Sequence, residues 1–527
     1  MDGLMMDRPL LVKQIAERAE YVFGDREIVA RTQGGVERST YGQILERARR
    51  LAGALSDLGI GPGDRVASFA WNSLRHLELY LAVPSTGAIL HTVNIRLFEE
   101  DLRYIVGHAE DRVIFLDASL AGAMPQFEGV EREVVMPDGH GERDGALDYE
   151  ELVAGGDPGF EFPDFPESTA AALCYTSGTT GRPKGVLYSH RSIVLHTLGA
   201  AVPDSMGIRG ADSVMPVVPM FHAMAWGIPY IATMVGARQV LPGPDLSPRG
   251  LADLIEAEGV TWSAGVPTIW NGLLELDPPP DLSGLRELKA GGAAVPQALI
   301  RGFDERFGVP VVQGWGMTET SPLAATSRVP PGLDPCCDEG YALRASQGRV
   351  LPLIDFRVDP DAGGELQVRG PWIARAYYED PGGSEKFTDD GWLRTGDVAE
   401  VERGSFIRLV DRTKDLVKSG GEWISSVELE NSIMAHPEVV EAAVIAVPDE
   451  RWGERPCACV VRRQGSPLDA DGLRAHLAGT VAKWWIPERF EFIDEIPKTS
   501  VGKFDKKLLR ARLAGPAASQ RGSAPRV

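Results

Sequence analysis

Apolar, strand-like segments alternate with amphipathic, helix-like segments over most of the chain, and glycine or proline turns separate them. After the candidate N-cap Thr40, hydrophobic residues recur at helical spacing from Ile44 to Leu55, and a second helix-like segment covers residues 74–81. Strand-like apolar runs lie at 66–69, 113–116, 214–219, 238–242 and 260–267. This alternation predicts an α/β fold of stacked layers, in which loops at the strand ends carry ligands.

The pattern changes between residues 363 and 411, where segments such as GELQVRG and SFIRLVDR are short and typical of antiparallel β structure. Beyond Asp411 a helix is expected, with Ser425 or Ser426 as its cap. This helix and the strands after it are expected at 427–436, 441–447 and 457–462, with two further helices behind them. The last part of the chain is therefore predicted to be α+β.

The 527 residues exceed what one hydrophobic core usually organises, so the chain is expected to divide into domains. We place the large N-terminal domain at residues 1–411 and the small C-terminal domain at 412–514. Residues 515–527 are small, polar and rich in turn formers, which predicts a disordered tail.

Charge and cysteine content exclude several classes of protein. Lys and Arg number 54 against 75 Asp and Glu, and the net charge of −21 would repel a nucleic-acid backbone. The five cysteines offer neither a disulfide framework nor a C-x-x-C metal pair, which is typical of a reducing compartment. We therefore expect no nucleic-acid partner and no structural zinc.

The N-terminal segment carries acidic residues where a signal peptide needs a basic start, and it is interpreted as an amphipathic helix. The most apolar stretch, residues 224–237, contains Gly227, Pro229 and Gly236 and is shorter than the roughly 20 residues that span a bilayer. A cytoplasmic protein without integral membrane association is expected.

The most informative segment, YTSGTTGRPKG at residues 175–185, directly follows the apolar run 170–174. Glycine backbone N–H groups, hydroxyls and a lysine charge are suited to bind phosphate. The residues that would do so are Thr176, Ser177, Gly178, Thr179, Thr180, Gly181 and Lys184. The segment is not a Walker A sequence, because Gly185 follows the lysine, and taken alone it is also compatible with a flexible surface loop.

Four further segments follow in order. They are QGWGMTET at 313–320, GWLRTGD at 391–397, DRTKDLVKSGGEW at 411–423 and PKTSVGKF at 497–504. In QGWGMTET, the glycines permit close backbone approach to a nucleotide, the tryptophan offers a stacking face, and the glutamate carboxylate can hold Mg²⁺. Each taken alone also has a structural interpretation as core, turn or solvated hairpin.

Together the five segments resemble the signatures of the adenylate-forming superfamily, which includes acyl-CoA synthetases, luciferases and peptide-synthetase adenylation domains. The resemblance covers residues 20 to 510 approximately. It implies a large domain of α/β layers with a distorted β-barrel, and a small mobile C-terminal lid that swings about Lys414.

The resemblance also implies roles for individual residues. Thr176 and Glu319 would be the metal-side ligands, and Asp397 and Arg412 would face the ribose. The adenosine pocket would be lined by Gly292, Gln313, Gly314, Trp315, Gly316 and Thr318, with Lys418 and Trp423 near the nucleotide. Many relatives carry tyrosine where this chain has Trp315, so the aromatic ring is kept and the hydroxyl is lost.

By the same resemblance, Lys503 is the catalytic lysine that stabilises the charge developing as the carboxylate attacks the α-phosphate. His222 would lie beside the carboxylate, in an apolar acyl tunnel formed by His222, Ala223, Met224 and Trp226. In a second pose of the lid, the loop of Ser419, Gly420 and Gly421 would replace Lys503 and line the coenzyme A path.

The resemblance implies an ATP-, Mg²⁺- and coenzyme A-using fatty acid:CoA ligase. The phrases HTVNIRLFEEDLRYIVGHAED and SGGEWISSVELEN are similar to those of bacterial long-chain fatty-acyl-CoA synthetases and of methylmercaptopropionate-CoA ligases. The acid is expected to be a medium- or long-chain fatty acid, with methylmercaptopropionate or another small hydrophobic acid as the alternative. Loading of a carrier protein, luciferase-like oxidation and a non-enzymatic nucleotide sensor are the competing interpretations. Similar proteins dimerise through the large domain, so a homodimer is expected.

Overall fold

The computed structural model describes residue 1 and residues 3–176, 182–420, 422–449, 451–499 and 504–513. The strands are β1 Glu27–Thr32, β2 Gly35–Thr40, β3 Arg65–Phe69, β4 Ile89–Thr92, β5 Asp111–Asp117, β6 Arg132–Met136, β7 Leu147–Asp148, β8 Ala170–Tyr175, β9 Gly185–Ser189, β10 Ser213–Pro216, β11 Arg238–Leu241, β12 Trp262–Gly265, β13 Glu287–Gly291, β14 Val311–Gly316, β15 Leu323–Thr326, β16 Arg349–Val350, β17 Asp355–Asp359, β18 Glu365–Arg369, β19 Leu393–Glu402, β20 Phe406–Arg412, β21 Val417–Ser419, β22 Glu422–Ile424, β23 Val439–Asp449, β24 Gly453–Arg462 and β25 Arg489–Phe492.

The helices pack on the faces of these strands. They are α1 Val12–Phe23, α2 Tyr41–Asp57, α3 Leu74–Ser85, α4 Glu99–Ala109, α5 Tyr149–Gly155, α6 His190–Ala201, α7 Ile228–Val235, α8 Pro248–Ala257, α9 Pro267–Leu274, α10 Gln297–Phe307, α11 Asp338–Arg344, α12 Ser426–Met434, α13 Ala470–Leu477 and α14 Lys506–Leu513. Among the described residues, none of these helices combines the length and the apolar character that crossing a bilayer requires.

A nine-stranded sheet has the order β16-β15-β14-β13-β12-β10-β11-β1-β2. Its strands from β14 to β1 run parallel, and the antiparallel strands β2, β15 and β16 lie at the two sides. Strands β12, β13 and β14 end at Gly265, Gly291 and Gly316. Because parallel strands end at the same edge, the loops after these glycines gather on one side of the molecule.

A seven-stranded sheet has the order β7-β6-β5-β3-β4-β8-β9 and is parallel except for the last pair. Strands β8 and β9 form an antiparallel pair in which Tyr175 lies opposite Gly185. The phosphate-loop segment 177–181 falls between these two strands and lies outside the described residues.

A four-stranded antiparallel sheet, β17 to β20, packs against the nine-stranded sheet. Trp315 and Leu323 of the larger sheet share one buried cluster with Trp372, Leu393 and Ile407. This apolar contact brings the end of β14 close to β19, and it places two predicted nucleotide segments side by side. The remaining strands form a five-stranded sheet of β21 to β25 that packs on α12 and α13 through Ile424, Leu429 and Leu473.

The predicted α/β class with an α+β C-terminal part is confirmed. Thr40 caps α2 as predicted, since its side chain accepts a hydrogen bond from the Gln43 backbone N–H. Of the two candidate caps for α12, Ser425 is the N-cap and accepts from the Glu428 N–H. The antiparallel segments around 363–411 are confirmed as β18, β19 and β20.

Several predicted element bounds need correction; the strand-like run 260–267, for example, contains strand β12 only at Trp262–Gly265, and Pro267 begins α9. The segment interpreted as an N-terminal amphipathic helix is helical only from Val12 onward, after the extended N-cap Leu11. Strand β10 ends at Pro216 and does not extend to residue 219, since a proline has no N–H for the sheet ladder.

His190 fastens α1 to α6 and provides a test of this packing. Its buried ring accepts a hydrogen bond from the Val12 backbone N–H at Nδ1, with a distance of 3.1 Å, and burial lowers its pKa from 6.5 to about 4. As the pH falls, His190 therefore binds a proton at a higher pH in the unfolded chain than in the folded protein. The stabilisation that neutral His190 provides is complete above pH 6.5 and falls between pH 6.5 and about 4.

We expect the difference in free energy of unfolding between the wild type and His190→Asn to shrink by about 2 kcal/mol from pH 7 to pH 5. Asparagine keeps an acceptor near the position of Nδ1 and does not titrate. Urea unfolding at the two pH values measures the change. A difference that is the same at pH 7 and at pH 5 would refute the assignment.

Candidate active site

Thr176 lies at the end of β8 and is paired with the lysine that closes the phosphate-loop segment. Its backbone N–H donates to the Lys184 carbonyl at 2.9 Å, and its hydroxyl accepts from the Lys184 N–H at 3.1 Å. The two ends of the loop are thereby held together. Ser177, Gly178, Thr179, Thr180 and Gly181 lie outside the described residues.

Lys184 and Tyr377 connect this loop to Glu319. The ammonium of Lys184 lies 4.8 Å from the centre of the Tyr377 ring and 3.1 Å from a carboxylate oxygen of Asp380. The Tyr377 hydroxyl donates to Glu319 Oε1 at 2.6 Å. Burial, together with the nearby Glu319 carboxyl group, raises the pKa of Tyr377, so the phenol stays protonated and donates to Glu319.

Glu319 belongs to a short 3₁₀ turn, Thr318–Thr320, that follows β14. The Tyr188 hydroxyl donates to the Thr318 carbonyl at 2.6 Å, and the Ala374 N–H donates to the Glu319 carbonyl at 2.8 Å. Glu319 is 5% exposed. Its backbone is therefore fixed from two directions, and its side chain is directed toward the phosphate-loop lysine through Tyr377.

Asp397 lies between Trp315 and Arg412. The Trp315 indole N–H donates to Asp397 Oδ2 at 3.1 Å, and Arg412 Nε lies 3.3 Å from Oδ1. The register of β19 and β20 places Asp397 directly opposite Arg412. Trp315 lacks a tyrosine hydroxyl, but its indole N–H supplies a donor to this carboxylate.

The adenosine-side residues lie around the ends of β13 and β14. Gly291 pairs with Gly314, and Gly292 has a φ of +79°, a left-handed conformation that favours glycine. A Cβ on Gly316 would lie 1.7 Å from the Pro322 carbonyl, so only glycine fits there. Within the described residues, Gln313 Oε1 is buried and accepts no hydrogen bond. A buried acceptor of this kind suits a donor on a bound ligand.

The predicted acyl segment makes a tight left-handed turn after His222, which is half-buried. Met224, Ala225 and Trp226 have φ values of 53°, 47° and 57°. A left-handed conformation costs an L-residue roughly 1–2 kcal/mol, and such strain is concentrated at functional sites. Other contacts must therefore hold the turn in place.

Two of these contacts involve Trp226 and His196. A Cβ on Gly291 would lie 3.1 Å from Trp226 Cη2, so the indole lies against the end of β13. The buried ring of His196 is next to Gly227 and accepts the Leu323 N–H at Nε2, with a distance of 3.2 Å. Burial lowers the pKa of His196 to about 3, which keeps the accepting nitrogen unprotonated.

The C-terminal residues of the predicted site lie in or just before the hairpin of β21 and β22. Lys418 lies 5.4 Å from the Trp423 ring centre, and burial, with Arg412 nearby, lowers the pKa of Lys414. Ser419 accepts a hydrogen bond from Arg455 at 3.1 Å. Gly421 and Lys503 lie outside the described residues.

Gly420 has a φ of +62°, and its N–H donates to the Trp452 carbonyl at 2.8 Å. A Cβ on Gly420 would lie 2.9 Å from the Trp452 ring, so this close approach requires glycine. The loop predicted to line the coenzyme A path is thus packed directly on an exposed tryptophan.

The described motif residues lie in separate groups: Thr176 with Lys184, which Tyr377 connects to Glu319; Trp315 and Arg412 at Asp397; and Lys418 with Trp423 on the C-terminal hairpin. The structure also adds residues that sequence analysis missed. The missed residues are Tyr188, His196, Tyr377, Asp380, Trp452 and Arg455. No motif or spacing marks them, because each reaches the site only through tertiary packing. The adjacent tyrosines in RAYYED, residues 375–380, are the only local signal that could have drawn attention to Tyr377.

The buried glutamate connected to Lys184, and the aspartate between an indole and an arginine, agree with the class of adenylate-forming enzymes, which activate a carboxylate with ATP. The sequence model of the AMP-binding enzyme family matches residues 16–378, and the model of the AMP-binding enzyme C-terminal domain matches residues 428–503. The chain belongs to the AMP-binding enzyme family.

Similar proteins extend over nearly the whole chain. The 3-methylmercaptopropionyl-CoA ligase of Ruegeria pomeroyi is 44% identical over 537 residues, covering 97% of this chain and 98% of that protein. The long-chain-fatty-acid–CoA ligase of Thermus thermophilus is 45% identical over 526 residues, covering 96% of each. Among solved structures, the anthranilate CoA ligase AuaEII in complex with anthranoyl-AMP has a TM-score of 0.86 at 26% identity, covering 97% of this chain and 99% of that one.

Proposed function

We propose that this chain is an ATP-dependent carboxylic acid:CoA ligase. A carboxylate oxygen attacks the α-phosphorus of ATP and releases pyrophosphate, and the thiol sulfur of coenzyme A then attacks the acyl carbonyl and releases AMP. One observation supports this most directly: Thr176, Lys184, Tyr377 and Glu319 form a continuous series of contacts at the phosphate-loop side. Similar proteins over the full length are named acyl-CoA ligases.

The residues around Glu319 fit a magnesium ion that is shared with the nucleotide. Mg²⁺ prefers hard oxygen ligands and in nucleotide sites uses one or two carboxylates together with substrate phosphates. Glu319 would supply the carboxylate and Thr176 a hydroxyl oxygen. Among the described residues no cluster of three or more His, Cys, Asp or Glu could hold a metal ion by itself. When bound, Mg²⁺ would neutralise charge on the phosphates.

Asp397 would accept the ribose hydroxyls, since a carboxylate offers two acceptor oxygens. Trp315 and Arg412 orient it for this task through their contacts with Oδ2 and Oδ1. Lys184 would supply positive charge at the phosphates, held in place by Asp380 and the Tyr377 ring.

Lys503 would stabilise the charge that develops during adenylate formation. A rotation of the C-terminal part about Lys414, with residues 1–411 and 412–514 as the two moving bodies, would then withdraw Lys503 and bring the Ser419–Gly420 loop to the adenylate. The packing of Gly420 on Trp452 gives this loop a fixed shape within the moving part. We further propose that the enzyme is cytoplasmic and forms a homodimer.

The acid is proposed to be a medium- or long-chain fatty acid, with methylmercaptopropionate as the alternative. Trp226 presents apolar surface next to the end of β13, beside the predicted adenosine pocket. Met224 is buried in the core cluster that also contains Cys174. His222 begins this turn and would lie beside the carboxylate. An apolar lining of this kind is suited to an aliphatic tail.

A pyrophosphate-release screen over short, medium, long-chain and aromatic acids tests the proposal, with coenzyme A and a phosphopantetheinylated carrier protein compared as acceptors. In the same screen we expect Trp226→Ala to change the ratio of kcat/KM between a long and a short acid by about ten-fold. The reason is that removing the indole opens space against Gly291. The KM for ATP should change by no more than about two-fold, because Asp397 and Glu319 are untouched.

Tyr21→Ala, which removes an aromatic ring that is 83% exposed on α1, is the matched control and should leave the acid profile unaltered. An acid profile of Trp226→Ala that matches the wild type would contradict the assignment of Trp226 to the acyl tunnel. A preference for the carrier protein over coenzyme A would replace the ligase proposal with the carrier-loading alternative.

A further inference from the structure

Asp411 at the end of β20 contacts the first helix that follows Lys414. Its Oδ2 accepts a hydrogen bond from the Ser426 backbone N–H at 2.6 Å, and its Oδ1 accepts from the Arg412 N–H at 2.7 Å. The Ser425 hydroxyl donates to the Val410 carbonyl. Asp411 is 3% exposed. The N-terminus of α12 is therefore tied to the last strand before the proposed pivot.

A second group of contacts lies entirely on the C-terminal side of Lys414. The Lys506 ammonium lies 2.7 Å from Glu430 Oε1 and donates to the Ser426 hydroxyl at 2.7 Å. Arg510 pairs with Asp415. These buried or half-buried pairs join α12, α14 and the start of the C-terminal part into one body. A rotation about Lys414 would leave them intact.

A third contact connects the chain after α9 with the chain after β24. The Arg463 guanidinium makes two hydrogen bonds to the Glu275 carboxylate, one of them 3.0 Å from Nη2 to Oε1. Both side chains are 45% exposed, so the pair is individually weak. Glu275 precedes the proposed pivot in sequence and Arg463 follows it, as Asp411 and Ser426 do.

We propose that Asp411 and the Glu275–Arg463 pair are two latches that hold the C-terminal part in the pose seen here and so set the balance between the two half-reactions. This inference rests on the proposed ligase function and its pivot at Lys414. Hydrogen bonds extend only over about 3 Å, and a large rotation separates residues on opposite sides of the pivot. The latches therefore exist in one pose only, and their removal raises the population of the other pose.

The experiment measures both half-reactions in the full chain: pyrophosphate release for adenylate formation, and thioester formation from supplied acyl-AMP. Asp411→Ala should change the ratio of the two rates about five-fold, the effect expected from losing one capping interaction. The matched control is Asp469→Ala, which removes the N-cap of α13 and its hydrogen bond from the Gly472 N–H at 2.9 Å. This cap lies within the C-terminal part, so the ratio should stay within about two-fold of the wild type.

Charge reversal tests the second latch and does not depend on the folding of Asp411→Ala. Glu275→Arg and Arg463→Glu should each shift the ratio away from the wild-type value in one common direction, and the double variant should restore it. An unchanged ratio in all three single variants, or an equal change in Asp469→Ala, would overturn the latches while the ligase remains. A wild type that performs neither half-reaction with any acid in the screen would overturn the proposed function, and the latches with it.

Discussion

Glu319→Gln should lower the rate of adenylate formation about 10²- to 10³-fold. Glutamine keeps an oxygen that can accept the Tyr377 hydroxyl, so the buried turn after β14 should retain its shape. What is lost is the negative charge that would bind the magnesium ion. Pyrophosphate release measured over a range of Mg²⁺ concentrations should show both a lower maximum and a weaker apparent affinity for the ion.

Tyr377→Phe is the matched control, because it removes the hydrogen bond to Oε1 and leaves the carboxylate charged. We expect it to cost no more than about ten-fold, or about 1.4 kcal/mol, which is the upper end of the range for a typical hydrogen bond. If Glu319→Gln kept the rate and the Mg²⁺ dependence of the wild type, the metal assignment would be wrong. If Tyr377→Phe were as damaging as Glu319→Gln, the tyrosine rather than the charge would be the critical group.

Lys503→Ala should reduce adenylate formation by about 10²- to 10³-fold and change thioester formation from supplied acyl-AMP by only a few fold. The lysine charge would be needed where negative charge develops on the phosphate oxygens, and it would be absent from the site during thiol attack. Single-turnover measurement of each half-reaction separates the two effects.

The control is Lys498→Ala, which removes a partly exposed lysine that pairs with Glu441 at 2.8 Å and lies five positions earlier in the same motif. It should leave both half-reactions near the wild-type rates. Equal losses of the two steps in Lys503→Ala would contradict a role confined to adenylation. Equal losses in Lys498→Ala would show that the segment is needed mainly for folding.

The sequence predicts those residues of the site that belong to short motifs. Thr176, Glu319 and Asp397 lie far apart in the chain. Each belongs to a local segment whose glycines and polar residues are suited to bind a nucleotide. Trp315 was identified for its ring, but the hydrogen bond from its indole to Asp397 depends on the packing of β14 beside β19. Tyr377 and Trp452 were not identified, because neither belongs to a motif.

The helices and strands show the same difference between features that local sequence determines and features that tertiary contacts determine. Thr40 and the hydrophobic spacing after it determined α2, since capping and amphipathic periodicity are local. The end of β10 depends on a proline, whose effect is local too, but the choice between Ser425 and Ser426 as the cap of α12 is not local. Ser425 donates to Val410 and Ser426 donates its N–H to Asp411, so partners from another strand decide between them.

The sequence by itself therefore determined the class of fold, the family and the residues of the nucleotide motifs, because spacing, capping and loop chemistry act over a few neighbouring positions. Only the tertiary structure decided how these motifs are joined: through Tyr377 at Glu319, through Trp315 at Asp397, and through Asp411 and Arg463 across the proposed pivot. The physical reason is that hydrogen bonds and ion pairs act over about 3 Å in space. Which distant residues come within that distance is set by the packing of whole sheets.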